Sequence, residues 1–327
     1  MLKRIQTILE VLPKDICSIV SSIPTAMLED LEEIRIRESR PLSVISKGQN
    51  YYINNRGLPS TKPQSGYIIT GEHTYSILQL ISNYSIYAIE DELRSGYITL
   101  RGGFRVGLAG QTVVKAGEIK TLRHINSFNF RISREIKGVA SFVMPYILDG
   151  DYIMHTLIIS SPGLGKTTLL RDIARYISDG FRGFRGAKVS IVDERSEIAG
   201  CYRGIPQNDI GFQTDILDAC PKAKGIMQLI RSMSPDVIVT DEIGSVEDMH
   251  AIEEALNSGV KIITTAHGKD LSNILEHPTL GQGISQGLFD RLLVLGKTLG
   301  VGTLESIFDG KSLEKIIDGP IRLSKGG

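Results

Sequence analysis

Residues 158–170 read Ile-Ile-Ser-Ser-Pro-Gly-Leu-Gly-Lys-Thr-Thr-Leu-Leu, an apolar strand feeding a glycine loop that opens into a helix at Lys-Thr. Phosphate chemistry dictates nearly every position. A nucleoside triphosphate needs several backbone N–H donors wrapped around its β-phosphate, and Gly163 and Gly165 let the chain curl that closely. The N-terminus of a helix starting near Lys166 adds partial positive charge to the same place. Lys166 can reach the β- and γ-phosphates, and the Thr167 hydroxyl is placed to ligate Mg²⁺. The expected nucleotide-binding set is therefore Ser160, Ser161, Pro162, Gly163, Leu164, Gly165, Lys166, Thr167 and Thr168. The pattern G-x-x-x-x-G-K-[ST] begins here with Ser160 instead of glycine, which fits only if the φ of Ser160 is negative.

At 327 residues the chain is long enough for two domains, each with its own core. Lys+Arg and Asp+Glu both total 37, so no basic field advertises nucleic-acid binding. Cys17, Cys201 and Cys220 are widely spaced and form no C-x-x-C pair. That suits reduced thiols in a cytosol and offers no metal site. Glu10 and Pro13 cut short any signal-peptide core at the start. No apolar run approaches the ~20 residues that span a bilayer.

The first part of the chain reads as a small α+β domain, residues 1–147, without nucleotide motifs. Breakers at Pro13 and Pro24 divide short helical patterns over residues 2–30. Leu31–Arg37 alternates apolar and charged residues with period two, the mark of a half-buried strand. Residues 42–45 and 51–53 supply its neighbours, and 54–66 is a loop rich in Asn, Gly, Pro and Ser. Thr70 is an expected N-cap for an amphipathic helix over Ile77, Leu78, Leu80 and Ile81, with a second helix at 86–93. Residues 95–110 form a hairpin about Gly102-Gly103 with arginines at its rim, and 119–123 and 129–133 continue the sheet. A helix is expected over 138–148.

From His155 onward strands alternate with helices, so residues 148–327 read as an α/β, RecA-like P-loop NTPase domain with a mostly parallel sheet. Expected strands lie at 155–160, 188–193, 236–240, 260–266 and 291–296. The third, Val-Ile-Val-Thr-Asp-Glu, ends in two carboxylates. Asp241 is placed to hold Mg²⁺ through its water shell, and Glu242 to polarise the attacking water as general base. The fourth ends in Thr264-Thr265-Ala266-His267. In a RecA-type sheet it lies between the loop strand and the acidic strand, so its end points at the γ-phosphate, where a polar Thr or His267 can sense that phosphate; a hydrogen-bonded structural histidine is the other reading of His267. Val189–Glu197 is another strand ending in acids, where Asp193 and Glu194 can approach the metal or the lytic water. Glu194 and Glu242 thus both qualify as general base. His250 reads as a surface residue.

A developing γ-phosphate charge is usually met by a guanidinium. The candidates are Arg101, Arg105, Arg123, Arg131 and Arg134 in the first domain and Arg203 in the second. Their concentration implies that the first domain closes over a nucleotide, its own or a neighbour's.

The glycine loop, Val-Asp-Glu-Arg-Ser-Glu-Ile-Ala-Gly-Cys-Tyr-Arg-Gly at 192–204, Ile-Val-Thr-Asp-Glu-Ile-Gly at 238–244 and Thr-Thr-Ala-His-Gly at 264–268 occur together. With Gly-Tyr-Ile-Thr-Leu-Arg-Gly-Gly-Phe-Arg-Val-Gly-Leu-Ala-Gly at 96–110, the chain resembles the stage III sporulation AA family over nearly its whole length. That family is related to the secretion-superfamily ATPases of type II and type IV systems. The resemblance implies a cytosolic, Mg-ATP-hydrolysing protein that forms a hexameric ring. It further implies a place at the inner face of the mother-cell membrane, where the ring energises a membrane-embedded sporulation complex. By the same resemblance Asp193-Glu194 looks like the acidic box of secretion ATPases and His267 like their histidine box.

Two other functions share this sheet. A nucleic-acid motor is disfavoured by the neutral charge balance and by the absence of any arginine with a histidine four residues later. A nucleotide-gated scaffold with little turnover is disfavoured by the presence of both Asp241 and Glu242.

Overall fold

The computed structural model describes residues 2–132 and 135–323. The chain divides into two units, Met1–Arg134 and Glu135–Gly327. In the first unit, helices α1 (Leu2–Glu10), α2 (Lys14–Ser21) and α3 (Thr25–Glu29) are separated by Pro13 and Pro24. Each proline sits at the N-cap of the helix it precedes, where its lack of an N–H costs nothing.

The strands that follow are β1 (Leu31–Arg37), β2 (Ser43–Ser46), β3 (Gln49–Ile53) and β4 (Pro59–Ser60). Helix α4 (Gly71–Ile81) begins at Thr70 with a capping box, but the reciprocal partner is His73. A 3₁₀ turn at Ile86–Ile89 leads into α5 (Glu90–Ser95), which stops at Gly96 in a left-handed conformation. Strands β5 (Tyr97–Leu100), β6 (Phe104–Lys115) and β7 (Glu118–Arg131) complete a seven-stranded antiparallel sheet ordered β4-β3-β2-β1-β7-β6-β5. The segments expected at 119–123 and 129–133 are one continuous strand as far as Arg131, bent by bulges against β6. Leu31, Ile34, Ile36, Phe128 and Phe130 alternate onto the buried face and pack against Ile8 and Ile16 of the helices.

The expected boundary at 147/148 differs from the observed division at 134/135. Ala140, Val143, Met144 and Ile147 pack into the core of the second unit. The expected helix over 138–148 shrinks to α6 (Met144–Ile147), started at Pro145 and ended by the hairpin of β8 (Leu148–Asp149) and β9 (Tyr152–Ile153).

The rest of the second unit is β10 (Thr156–Ser160), α7 (Lys166–Asp179), β11 (Val189–Asp193), β12 (Thr214–Asp218), α8 (Lys222–Met233), β13 (Val237–Thr240), α9 (Val246–Asn257), β14 (Lys261–His267), α10 (Leu271–Leu275), α11 (Pro278–Ser285), β15 (Arg291–Gly296), β16 (Thr303–Asp309) and β17 (Lys315–Arg322). The sheet order is β12-β11-β13-β14-β10-β15-β16-β17. It is parallel from β12 to β15, and β16 and β17 add antiparallel to one side. Alternate residues go to opposite faces. Ile158, Ile191 and Val239 meet Leu170 and Ile173 of α7, while Leu157, Ile159, Val192 and Ile238 meet Ile226, Ile252 and Ile284 of α8, α9 and α11. Burial on both faces explains the unbroken apolar runs of the central strands.

Candidate functional site

From β10 the chain crosses to β11, and β13 and β14 fill the gap between them. This makes the carboxyl end of β10 a switch point, where an open α/β sheet leaves a crevice. The glycine loop runs out of β10 there. Gly163 has φ +75° and Gly165 φ +92°, values that a side-chain-bearing residue adopts only with strain. Ser160 has no positive φ, so the serine fits at the loop's first position. It is fully buried, its hydroxyl bonds the Ser161 carbonyl at 2.9 Å, and its own carbonyl accepts from Gly268 N–H. Lys166 opens α7 as expected, followed by Thr167 and Thr168.

The Lys166 side chain is only 6% exposed, and its ammonium lies 3.5 Å from Glu242 Oε1. It lies 3.0 Å from His267 Nδ1, and His267 Nε2 lies 2.8 Å from the same Glu242 oxygen. One tautomer satisfies all three groups: Lys166 donates to Nδ1, and the Nε2–H donates to Glu242. Arg195 reaches the other carboxylate oxygen at 3.5 Å. Burial alone would raise the Glu242 carboxyl, but Lys166, His267 and Arg195 outweigh it and hold the group below the usual range. Burial pulls Lys166 down, and Glu242 opposes that.

Glu242 is held in a left-handed conformation, φ +36°, which a non-glycine residue keeps only where its surroundings enforce it. The enforcing partner is Thr265, whose hydroxyl accepts the Glu242 N–H at 2.9 Å and whose carbonyl accepts Ile243 N–H. Of the polar residues at the end of β14, His267 therefore touches the acid and Thr265 shapes its backbone. His250 is exposed and pairs with Glu253 on its own helix.

Asp241 is 4% exposed. Burial and then the nearby Asp193 carboxylate push its carboxyl up to about 7, with Lys222 pulling the other way. A cation beside it would relieve that penalty. No group of three or more His, Cys, Asp or Glu side chains among the described residues could cage a metal. Mg²⁺ needs no cage, because one or two protein oxygens suffice when phosphates supply the rest. Thr167 and Asp241, at the same end of the sheet, are the oxygens that fit.

Two expectations for the 193–197 acids change. Asp193 is fully buried, and its carboxylate accepts three backbone N–H groups, from Glu197 at 2.8 Å and from Ile198 and Ala199 at 2.9 Å each. It caps a turn, with most of its acceptor capacity spent on backbone N–H groups. Glu194 is engaged by Lys222, whose ammonium hydrogen-bonds its carboxylate. Of the two candidate bases, Glu242 is the one beside Lys166.

Sequence reading missed two positioning residues. Arg171 of α7 donates to the carbonyls of Glu197 and Ile198, gripping from outside the turn that Asp193 caps from within. Lys222 is the other, through Glu194. The only signal was a cation placed against an apolar run, Leu169-Leu170 for Arg171.

Arg101 lies in the turn between β5 and β6, Arg105 on β6, and Arg123 and Arg131 on β7. Arg105 stacks over Tyr97, 3.6 Å from the ring centre, while Arg101, Arg123 and Arg131 are exposed. Arg134 lies outside the described residues. Arg203, in the second unit, sits in a tight turn closed by Tyr202 and Ile205, φ +51°, with its guanidinium 5.4 Å from the Tyr202 ring centre.

A model of the family described as "Sporulation stage III, protein AA" matches residues 2–314. The chain is 46% identical over 302 residues to "Stage III sporulation protein AA" of Bacillus subtilis, covering 92% of this chain and 94% of that one. Among solved structures, the ATPase DotB of Yersinia pseudotuberculosis aligns with a TM-score of 0.55 at 14% identity, covering 88% of this chain and 77% of that one. The pilus retraction motor PilT with bound ADP aligns with a TM-score of 0.53 at 14% identity, covering 82% and 75%. The fold is that of P-loop secretion ATPases.

Proposed function

The chain belongs to the sporulation stage III protein AA family, and on that footing we propose that it is a Mg-ATPase that drives a membrane-associated assembly or transport complex during endospore formation. The observation that carries this reading is the cluster of Lys166, Glu242 and His267 at the mouth of the glycine loop, with Asp241 buried beside it. Bound Mg²⁺, held by Thr167 and Asp241, would neutralise charge on the β- and γ-phosphates.

Lys166 carries the fixed charge that meets the γ-phosphate. Glu242, kept ionised by three cations or donors, accepts a hydrogen bond from the attacking water and aims it. His267 bridges the two, so a phosphate that draws Lys166 away also changes what holds Glu242. Assembly into a ring, hexameric by the family resemblance, is needed if an arginine of a neighbouring first unit completes the site, and Arg101, Arg105, Arg123 and Arg131 are the described candidates. No helix among the described residues is long and apolar enough to cross a membrane.

The test is Glu242→Gln beside Glu194→Gln. Loss of the base should lower phosphate release about 10²–10⁴-fold while Mg-ATP still binds. Glu194→Gln should stay within a few-fold of wild type. Reversal of the two outcomes would move the base to Glu194. Phosphate release per subunit that stays constant over a dilution series in which rings dissociate would overturn the completion of the site by a neighbour.

A further inference from the structure

The turn between β15 and β16, residues 297–302, leaves the sheet at the same end as the glycine loop, because β15 pairs in parallel with β10 and Leu295 stands opposite Ser160. Its backbone lies close to that loop: a β-carbon at Gly165 would lie 3.8 Å from Gly302 Cα. Two aliphatic side chains stand out of the turn, Leu299 at 47% and Val301 at 65% exposure.

The turn that carries them is firmly built. Leu299 N–H donates to Thr303 Oγ1 at 3.1 Å, and that hydroxyl donates to the Gly300 carbonyl at 2.6 Å. Glu305 accepts from both the backbone and the hydroxyl of Thr298. Gly300 N–H closes onto Lys297, and Leu323 N–H donates to the Gly302 carbonyl. Nothing within the turn requires its aliphatic residues to face water.

The direction of a bound nucleotide follows from the sheet. Asp241 and Glu242 follow β13, and His267 ends β14, so the γ-phosphate end lies on the β14 side of β10. With the β-phosphate in the glycine loop, the nucleoside leaves on the opposite side, over β15. We infer that Leu299 and Val301 form an apolar platform for the base of the bound nucleoside triphosphate. This assignment rests on the nucleotide reading above and adds the subsite that reading leaves open. Aliphatic contact is made to the ring face, which every base presents, so the platform lends affinity without choosing between exocyclic groups.

The experiment is titration of wild type and the double variant Leu299→Ser with Val301→Ser, using Mg-ATP and, separately, Mg-tripolyphosphate, which has the phosphates and no base. Thermal melting of both proteins checks the fold. The platform predicts about tenfold weaker ATP binding in the variant with tripolyphosphate affinity unchanged. Unchanged ATP affinity would overturn it. So would equal weakening of both ligands, because the turn would then be shaping the phosphate loop. A wild-type chain that bound neither ligand would sink the nucleotide reading itself, and the base site with it.

Discussion

Asp193 offers a sharp test of whether an acid at the head of β11 works on the ligand or on the backbone. Burial is the main reason its carboxyl is pushed up from 3.8 to about 6, with the three backbone N–H donors opposing. A carboxyl raised in this way is fully stabilising only below about pH 4. Stability is withdrawn as pH climbs through 6, by about 3 kcal/mol at 1.36 kcal/mol per pH unit. Asp193→Asn removes that loss but gives up one acceptor, which on a neutral carboxyl is worth about 0.5–1.5 kcal/mol. The variant therefore falls below wild type at pH 4 and rises above it, by about 1.5–2.5 kcal/mol, at pH 7.5. Asp193→Ala leaves three N–H groups without their acceptor, two of them on the buried residues Ile198 and Ala199, at about 1–3 kcal/mol each. Alanine should therefore be at least about 2 kcal/mol less stable than asparagine. Urea unfolding at both pH values, with hydrogen exchange at the amides of residues 197–199, reads this directly. Alanine and asparagine variants of equal stability would refute the capping role. An asparagine variant at least as stable as wild type that no longer bound Mg-ATP would show that the carboxylate acts on the ligand.

Other outcomes follow from single groups. His155 is held neutral, its pKa pushed down from 6.5 to about 4, first by burial and then by Lys261, with Asp290 opposing and Lys311 adding to the shift. Its Nδ1 accepts Ile262 N–H at 3.2 Å. The unfolded chain takes up that proton below pH 6.5 and the folded one does not until about 4, so stability falls as pH drops, by up to about 1.4 kcal/mol per pH unit. His155→Asn should flatten this slope, and an unfolding midpoint with the same pH dependence in both proteins would count against it. Gly165→Ala places a β-carbon at φ +92° without a clash, so strain alone should cost about 1–2 kcal/mol and weaken Mg-ATP binding roughly tenfold if the curl must be kept to bind. Calorimetric titration showing wild-type affinity would mean that the curl at Gly165 is not what builds the phosphate site.

The shape of the glycine loop was legible because the left-handed turns at Gly163 and Gly165 and the helix start at Lys166 are specified locally. The five expected strands of the second unit were legible because residues such as Ile158 and Val239 must be apolar on both faces. Strand β12, Thr-Asp-Ile-Leu-Asp, escaped notice because it lies at the sheet edge and holds only two apolar residues between its polar ends. Strand β17 escaped because its alternating exposure resembles that of many surface segments, and β16, Thr-Leu-Glu-Ser-Ile-Phe-Asp, because polar residues interrupt its apolar ones without a clear period. The helix expected over 138–148 followed from apolar spacing at Val143, Met144 and Ile147. Those residues are buried, but by a chain that turns before Pro145 and enters a hairpin after it. The roles of Asp193, Glu194 and Arg171 depend on partners distant in sequence. No local pattern could separate an acid that caps a turn from one that faces a phosphate. Glu242 was separable only once Lys166 and His267 stood beside it.

Strand β17 closes one side of the second unit's sheet and exposes Lys315, Asp318, Pro320 and Arg322 along its length. Pro320 has no N–H to offer a newcomer, and the charges would have to be stripped of water before another chain could lie alongside. An open sheet edge carries the hazard of fusing copies of a protein through main-chain hydrogen bonds into fibrils, and this border resists that union.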